Sequence, residues 1–296
     1  MEIRKSERRK AKMKLALQGS SGSGKTYSSL LIAKGLAGND FTKVAVIDTE
    51  NGSADLYAHL GDYNVISLQP PYSPERYIEA INLCENAGIE VVIIDSISHC
   101  WDYLLDVHSN MVGNSFTNWG KITPRQNAFV NKILQSDTHI IATMRVKQDY
   151  VLNQKNGKTI PEKVGLKAVQ RNDVDYEFTI VFDIDIAHNA KASKDRTGLF
   201  IDKPEFVINT ATGKKLLAWC NEGSKDEIDC IKADIENCTS LDELRAVYLE
   251  HPEIQSKIKN LVLQKKEQIE KINSQIIPTS KIVESKNINN NENSIS

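Results

Sequence analysis

Cysteine, aromatic residues, an excess of positive charge and long apolar runs are all in short supply in this chain of 296 residues. The five cysteines (84, 100, 220, 230 and 238) are odd in number and lack close pairs. That excludes a disulfide framework and a cysteine zinc site, and they read as reduced thiols, buried or incidental. No run approaches the ~18 consecutive apolar residues of a membrane span, so no transmembrane helix is expected. The opening MEIRKSERRKAKMK is charged but has no apolar stretch behind it, which argues against a secretory signal. A cytoplasmic location follows as an expectation. Lys and Arg total 37 against 39 Asp and Glu, so overall basicity is excluded as a basis for binding nucleic acid. Any such binding must come from local patches. What is present, 40% hydrophobic and 26% charged residues, is the composition of an ordinary globular chain with room for one large domain and an appendage.

The chain divides by pattern. Residues 1–13 form a basic lead-in. Residues 14–222 alternate short β-branched runs with helical stretches, which predicts an α/β core with a mainly parallel sheet flanked by helices. The predicted strands are Lys14–Gln18, Val44–Asp48, Val91–Asp95, His139–Thr143 and Phe178–Ile184, with Gly198–Ile201 and Phe206–Ile208 as a smaller antiparallel addition. Residues 223–274 read as a helical appendage. It holds Asp226–Asn237, Leu241–Leu249 behind a Ser240/Glu243 capping box, and, after the His251-Pro252 break, a helix from about Glu253 to Ser274. Residues 275–296 are Asn- and Ser-rich, too polar to bury, and are expected to be disordered.

Gly19-Ser20-Ser21-Gly22-Ser23-Gly24-Lys25-Thr26 satisfies the G-x-x-x-x-G-K-[ST] pattern between an apolar strand and a helix that begins at Tyr27. Its three glycines let successive N–H groups turn toward phosphates. Lys25 supplies positive charge to the β/γ-phosphates, Thr26 offers a hydroxyl to Mg²⁺, and the helix N-terminus adds its positive end. Gly19–Tyr27 is therefore the candidate nucleotide-binding segment, with ATP and Mg²⁺ as cofactors. Val91–Asp95 is an apolar strand ending in an acid that can hold Mg²⁺ beside Thr26. No Glu follows Asp95. Glu50, after the strand Val44–Asp48, lies near the sheet edge where ligands gather in open α/β folds, and is the candidate general base. An acid at a strand end is also a common cap or turn residue.

This ordered set resembles the RecA superfamily, in which the catalytic Glu follows the second strand as Glu50 does. HIIATMRVK resembles that superfamily's polar sensor strand, with Thr143 near the γ-phosphate-sensing amide. A closer resemblance is to a phage and prophage family of minimal RecA-like ATPases associated with single-strand annealing and recombination. It is carried by LALQGSSGSGKTYSSL, VAVIDTENGSADLY, IIDSISHCWDYL, NSFTNWGKITP, HIIATMRVKQDYV, EKVGLKAVQRNDVDYEFT and SKDRTGL, over roughly residues 12–202. Lys194-Asp195-Arg196-Thr197-Gly198 is similar to the Lys-x-Arg-x-Gly element of RadA- and DnaB-type relatives. There the basic pair reaches a neighbouring subunit's ATP site. Lys194 and Arg196, at i and i+2 on an extended segment, can face one triphosphate. The resemblance implies a ring or filament of identical subunits; the alternative is a solvated basic loop.

Lys147, Tyr150, Lys155, Lys158, Lys163, Lys167 and Arg171, with an Asn156-Gly157 hairpin turn among them, occupy the place of a second DNA-contacting loop in RecA-like proteins. Spaced cations can follow a phosphate backbone, and Tyr150 can stack on a base. Asp106–Lys121 occupies the place of the first such loop. Arg4, Lys5, Arg8, Arg9, Lys10, Lys12 and Lys14 offer DNA or a neighbouring subunit a further basic stretch. His99 and Cys100 are read as lying on an extended chain, pointing to opposite sides. That excludes a nucleophile–base pair and leaves His99 as a possible reader of nucleotide state.

The sequence therefore predicts a Mg²⁺-dependent RecA-like ATPase, stimulated by single-stranded DNA, in phage or prophage recombination, annealing or repair. The C-terminal helices would contact other recombination or replication proteins. The alternative is a nucleotide-switched adaptor acting through those helices without DNA. A small-molecule kinase would need an acceptor pocket and lid arginines.

Overall fold

A computed structural model describes residues 10–155, 158–171, 174–222 and 227–276, with backbone alone over most of 148–167. The chain divides into two units, Met1–Gly223 and Ser224–Ser296.

In the first unit the described strands are β1 (Lys14–Gly19), β2 (Val44–Asp48), β3 (Asn64–Ser67), β4 (Val91–Asp95), β5 (His139–Lys155), β6 (Lys158–Ala168), β7 (Ile180–Ile184), β8 (Asn189–Asp195) and β9 (Phe206–Val207). Helices α1 (Lys25–Leu36), α2 (Pro74–Asn86), α3 (Ser98–Ser109), α4 (Ser115–Gln135) and α5 (Thr210–Asn221) accompany them. The sheet runs β3-β2-β4-β5-β1-β7-β8-β9. It is parallel from β3 through β7, while β8 and β9 add antiparallel.

Strands buried on both faces explain the near-continuous apolar runs. Alternate residues face opposite sides. Leu15, Leu17, Val91, Ile93 and Ile141 pack with α1 and α5, through Leu30, Ile32 and Leu216. Ala16, Val92, Ile94, Ile140 and Ala142 pack on the other face with Tyr77 and Ile81 of α2 and Phe129 and Ile133 of α4. The same alternation carries Asp95, Thr143 and Arg145 to the α1 face. Register then sets Asp48 beside Asp95, and Gly19 between Arg145 and Ile184, so the carboxyl ends of five strands form one edge.

The fold departs from the sequence reading in several places, among them the short edge strand β3, which was not predicted. Gly198–Ile201 is not a strand. The Asp195 carboxylate accepts from the N–H groups of Thr197, Phe200 and Ile201, so the chain curls around it. The antiparallel addition is β8 with the two-residue β9. Asp106–Lys121 is not a loop, because α3 and α4 leave only 110–114 between them and the Asn114 side chain caps α4 through Phe116 N–H. His99 and Cys100 lie on α3 rather than on an extended chain. Finally, β5 does not stop at Thr143 but runs on past the sheet edge and pairs antiparallel with β6. The Asn156-Gly157 turn itself lies outside the described residues.

The second unit packs α6 (Glu227–Asn237), α7 (Leu241–Glu250) and α8 (Gln255–Ile276) around Ile231, Ile235, Leu244, Ile258 and Ile269. Ser240 Oγ accepts from Glu243 N–H at the start of α7. The helix α8 runs two residues into the expected disordered tail, to Ile276; the rest of that tail, 277–296, like residues 1–9 of the lead-in, falls outside the described residues.

Candidate nucleotide site

The loop between β1 and α1 has its shape imposed by glycine. Gly22 and Gly24 adopt φ of +79° and +87°, which a side chain resists. A Cβ on Gly19 would collide with the Ser23 side chain and come 2.6 Å from the Ile184 carbonyl. Ser23 is itself fully buried behind the loop, and its hydroxyl has no partner there. Lys25 Nζ folds back onto the carbonyls of Gly19 (3.0 Å) and Ser20 (2.9 Å). Burial lowers its pKa against the opposing pull of Asp95.

Asp95 is 2% exposed at the end of β4 and accepts two hydroxyls, Thr26 Oγ1 at 2.6 Å and Thr143 Oγ1 at 2.5 Å. Burial pushes its pKa upward and the two hydroxyls hold it down. Asp48, at the end of β2, accepts from Glu50 N–H (2.6 Å) and Ala54 N–H (3.1 Å), which fixes the turn that carries Glu50. The Glu50 carboxylate is gripped at both oxygens by Arg145, Nε to Oε1 at 2.9 Å and Nη2 to Oε2.

Lys25, Thr26, Asp95, Glu50 and Arg145 share a cavity of about 840 Å³. One end holds Gly22, Gly24, Lys25, Thr26, Glu50, Asp95 and Arg145; Tyr27, Tyr57, His188, Val207 and Ile208 line the rest. Tyr27 and Tyr57 lie 5.6 Å apart, ring to ring. His188, at φ +67°, pairs through Nδ1 with the Ser23 carbonyl at 3.0 Å and roofs Gly24. The size lies within the usual range for small-ligand pockets, roughly 300–1,000 Å³. A positive loop beside an adjacent hydroxyl and carboxylate fits a nucleoside polyphosphate with a hard divalent cation held by oxygen. No cluster of three or more His, Cys, Asp or Glu occurs among the described residues, so the phosphate oxygens and water would supply the remaining ligands.

Of the residues singled out in the sequence, the fold gathers Lys25, Thr26, Tyr27, Asp95 and Glu50 with Ser21, Gly22 and Gly24 around this cavity. Gly19, Ser20 and Ser23 form the back of the loop. Thr143 does not reach the cavity: it is fully buried beneath Asp95, and from β5 the cavity is lined instead by Arg145, two residues on along the same face, and by Val146. Arg145, His188, Tyr57, Val207 and Ile208 were not singled out. For Arg145 the signal was present, since strand alternation places it on the face of Thr143. For the others it was not, because they come from segments distant in sequence, Tyr57 from a 3-10 turn of helix after β2 and His188, Val207 and Ile208 from the region beyond β7.

Lys194 Nζ and Arg196 Nη2 both donate to the Tyr176 carbonyl, outside the cavity of their own chain. Arg171 Nη1 donates to Asn127 on α4 at 3.2 Å, apart from the β5–β6 hairpin. Lys147 is exposed at the hairpin's base. The side chains of Tyr150, Lys155, Lys158, Lys163 and Lys167 lie outside the described residues. Lys14 leaves the basic lead-in altogether. It is 6% exposed, donates to the carbonyls of Ser136 (2.8 Å) and Thr138 (2.6 Å), and burial lowers its pKa to about 7. His99 contacts Thr49 Oγ1 through Nδ1 at 2.8 Å and stacks on Tyr72, outside the cavity.

Among the described residues no helix is long and apolar enough to cross a membrane. A family model described as an AAA domain matches residues 11–218. A search of curated proteins finds no match.

Proposed function

The chain belongs to the AAA-domain family, and on that premise we propose that it is a Mg²⁺-dependent, RecA-like ATPase that works as a ring or filament on single-stranded DNA. Family membership supports nucleotide binding and hydrolase activity in general. Recombination, annealing or repair of the phage or prophage kind, in the cytoplasm of a bacterial host, is the setting we assign to it. One observation carries the reading: Lys25, Thr26, Asp95 and Glu50, from three separate segments, converge on one cavity.

In this reading the loop N–H groups and Lys25 hold the phosphates. Thr26 and Asp95 hold Mg²⁺, which when bound neutralises phosphate charge. Thr143 orients Asp95 from beneath rather than sensing the γ-phosphate itself. Glu50 takes the proton of the attacking water. Lys194 and Arg196 complete a neighbour's site. The DNA assignment is supported by backbone register, which sets Lys147 opposite Lys167, Tyr150 opposite Lys163 and Lys155 opposite Lys158 along a two-stranded ribbon.

ATP turnover with and without single-stranded DNA, with Lys25→Ala as the blank, tests the proposal. DNA should raise turnover cooperatively with protein concentration, and the stimulation should fall with salt. Turnover indifferent to DNA would sink the DNA assignment. It would favour a nucleotide-switched adaptor, a reading supported by the separate core of the second unit and its exposed Leu249, Leu263 and Ile272. Deleting 224–296 would then abolish partner capture.

A further inference from the structure

We propose that a second cavity, walled by α4 and by the segment that follows β6, binds a guanine base, whether of a free nucleotide or unstacked from a strand. It shares no residue with the nucleotide cavity and stands whether or not the chain is an ATPase.

The cavity measures about 370 Å³, toward the small end of ligand pockets. Helical spacing builds one wall. Asn127, Asn131 and Leu134, at i, i+4 and i+7, form a stripe beside Gln126 and Val130. Phe129 and Ile133 of the same helix are committed to the sheet. Arg171, Val174 and Glu177 form the other wall. Val174 N–H donates to the Arg171 carbonyl at 3.4 Å, and Glu177 N–H to the Val174 carbonyl at 3.2 Å, which fixes the 3-10 turn between them. Arg171 ties the walls together, its Nη1 donating to Asn127 Oδ1 at 3.2 Å.

One atom points to a ligand. Gln126 is 2% exposed and lines the cavity, yet among the described residues nothing donates to its Oε1. A buried acceptor without a donor is destabilising, and an apolar side chain would fill the same place without that penalty. An N–H from a bound molecule would satisfy it.

The charged groups narrow the class. Arg171 and Glu177 bring a fork of donors and a carboxylate to one cavity. With Nη1 on Asn127, Arg171 keeps its other N–H groups for a ligand. Guanine presents two neighbouring acceptors, O6 and N7, which an arginine fork meets as a pair. Its N1–H and N2–H₂ are two neighbouring donors, which suit the two oxygens of a carboxylate. The second proton of N2–H₂ is then the donor that Gln126 Oε1 lacks. Adenine, cytosine and thymine have no such pair of donor groups. Val130, Leu134 and Val174 give the ring faces apolar surface.

The test is binding of GMP, AMP, CMP and UMP to the full chain, with Mg²⁺ and a non-hydrolysable ATP analogue present to occupy the nucleotide cavity. GMP should bind roughly 10-fold or more tightly than the others, the discrimination of one bidentate pair. Lys25→Ala should keep that preference, which separates this site from any failure of the ATPase reading. Glu177→Gln, at an exposed position, should erase it. Gln126→Leu should weaken GMP without lowering the thermal midpoint, because the oxygen it removes has no partner to lose. An oligothymidylate with one central deoxyguanosine, compared with the plain strand, identifies the source. Tighter binding that Glu177→Gln abolishes assigns the base to a strand; equal binding of the two strands, with the GMP preference intact, assigns it to a free nucleotide. No preference for guanine in either form, or one that survives both Glu177→Gln and Gln126→Leu, would overturn the proposal.

Discussion

Thr143 and Arg145 show what one strand's alternation decides and what it leaves open. Both lie on the α1 face, as residues two apart on a strand must, yet one is sealed under Asp95 and the other stands in the cavity. Depth along the sheet edge separates them, and depth depends on where β4 and β1 end. A few positions earlier on β5, His139 accepts from Met13 N–H through Nδ1 at 2.9 Å. Burial, with Lys12 and Lys14 adding to it, pushes its pKa down to about 3. The sign of the consequence follows from linkage. Below its ordinary value of 6.5 the unfolded chain takes up a proton that the folded chain refuses until about pH 3, so His139 removes stability as pH falls through that window. The slope is at most about 1.4 kcal/mol per pH unit. Denaturant midpoints from pH 7.5 to 5 should therefore fall more steeply for wild type than for His139→Asn, which keeps an acceptor but cannot titrate. Parallel curves would show that His139 does not contribute.

At the scale of elements, the central strands were legible because a strand buried on both faces must be apolar throughout, as Val91–Ile94 is. The short edge strand β3 was not, since it is half-exposed and offers only Val65 and Ile66 as a signal. The hairpin arm of β5 was hidden by polarity: in VKQDYVLNQK polar residues interrupt the few apolar ones, so no apolar run marks a strand. The phosphate loop and Asp95 were legible because phosphate and Mg²⁺ chemistry restricts residue types within a short segment. Arg145, His188 and Tyr57 meet only through the fold. One packing device also escaped notice, the contact of α1 with α5 at Gly35 and Gly213. A Cβ on Gly35 would come 2.6 Å from Gly213 Cα, and one on Gly213 would strike the Ile32 carbonyl. Backbone cannot yield there as a flexible side chain would. Gly213→Ala should cost about 1–3 kcal/mol in urea unfolding. Gly120→Ala, in open space on α4, should instead be neutral or stabilise by up to about 1 kcal/mol. Similar effects at the two sites would mean that the helices slide apart at little cost.

For the whole molecule the open matter is whether one chain contains a complete site. Lys194 and Arg196 converge on the Tyr176 carbonyl and line no part of their own chain's cavity, so any catalytic use of them requires a second copy. That can be read from mixtures. Lys25→Ala keeps the basic pair and loses the phosphate lysine; Arg196→Ala does the reverse. Each alone should be nearly inactive, the second by roughly 10³-fold if Arg196 acts as a finger. Mixed in equal amounts, a functional site forms wherever an Arg196→Ala cavity meets the intact finger of a Lys25→Ala neighbour. Random head-to-tail assembly makes that roughly a quarter of all sites, so turnover should recover to about that fraction of wild type. Recovery should also rise with total protein, because a heterologous contact must form first. A mixture no more active than its components, under conditions where wild type assembles, would show that the pair serves only its own chain's turn at Tyr176. The neighbour would then have to contribute something else, or nothing.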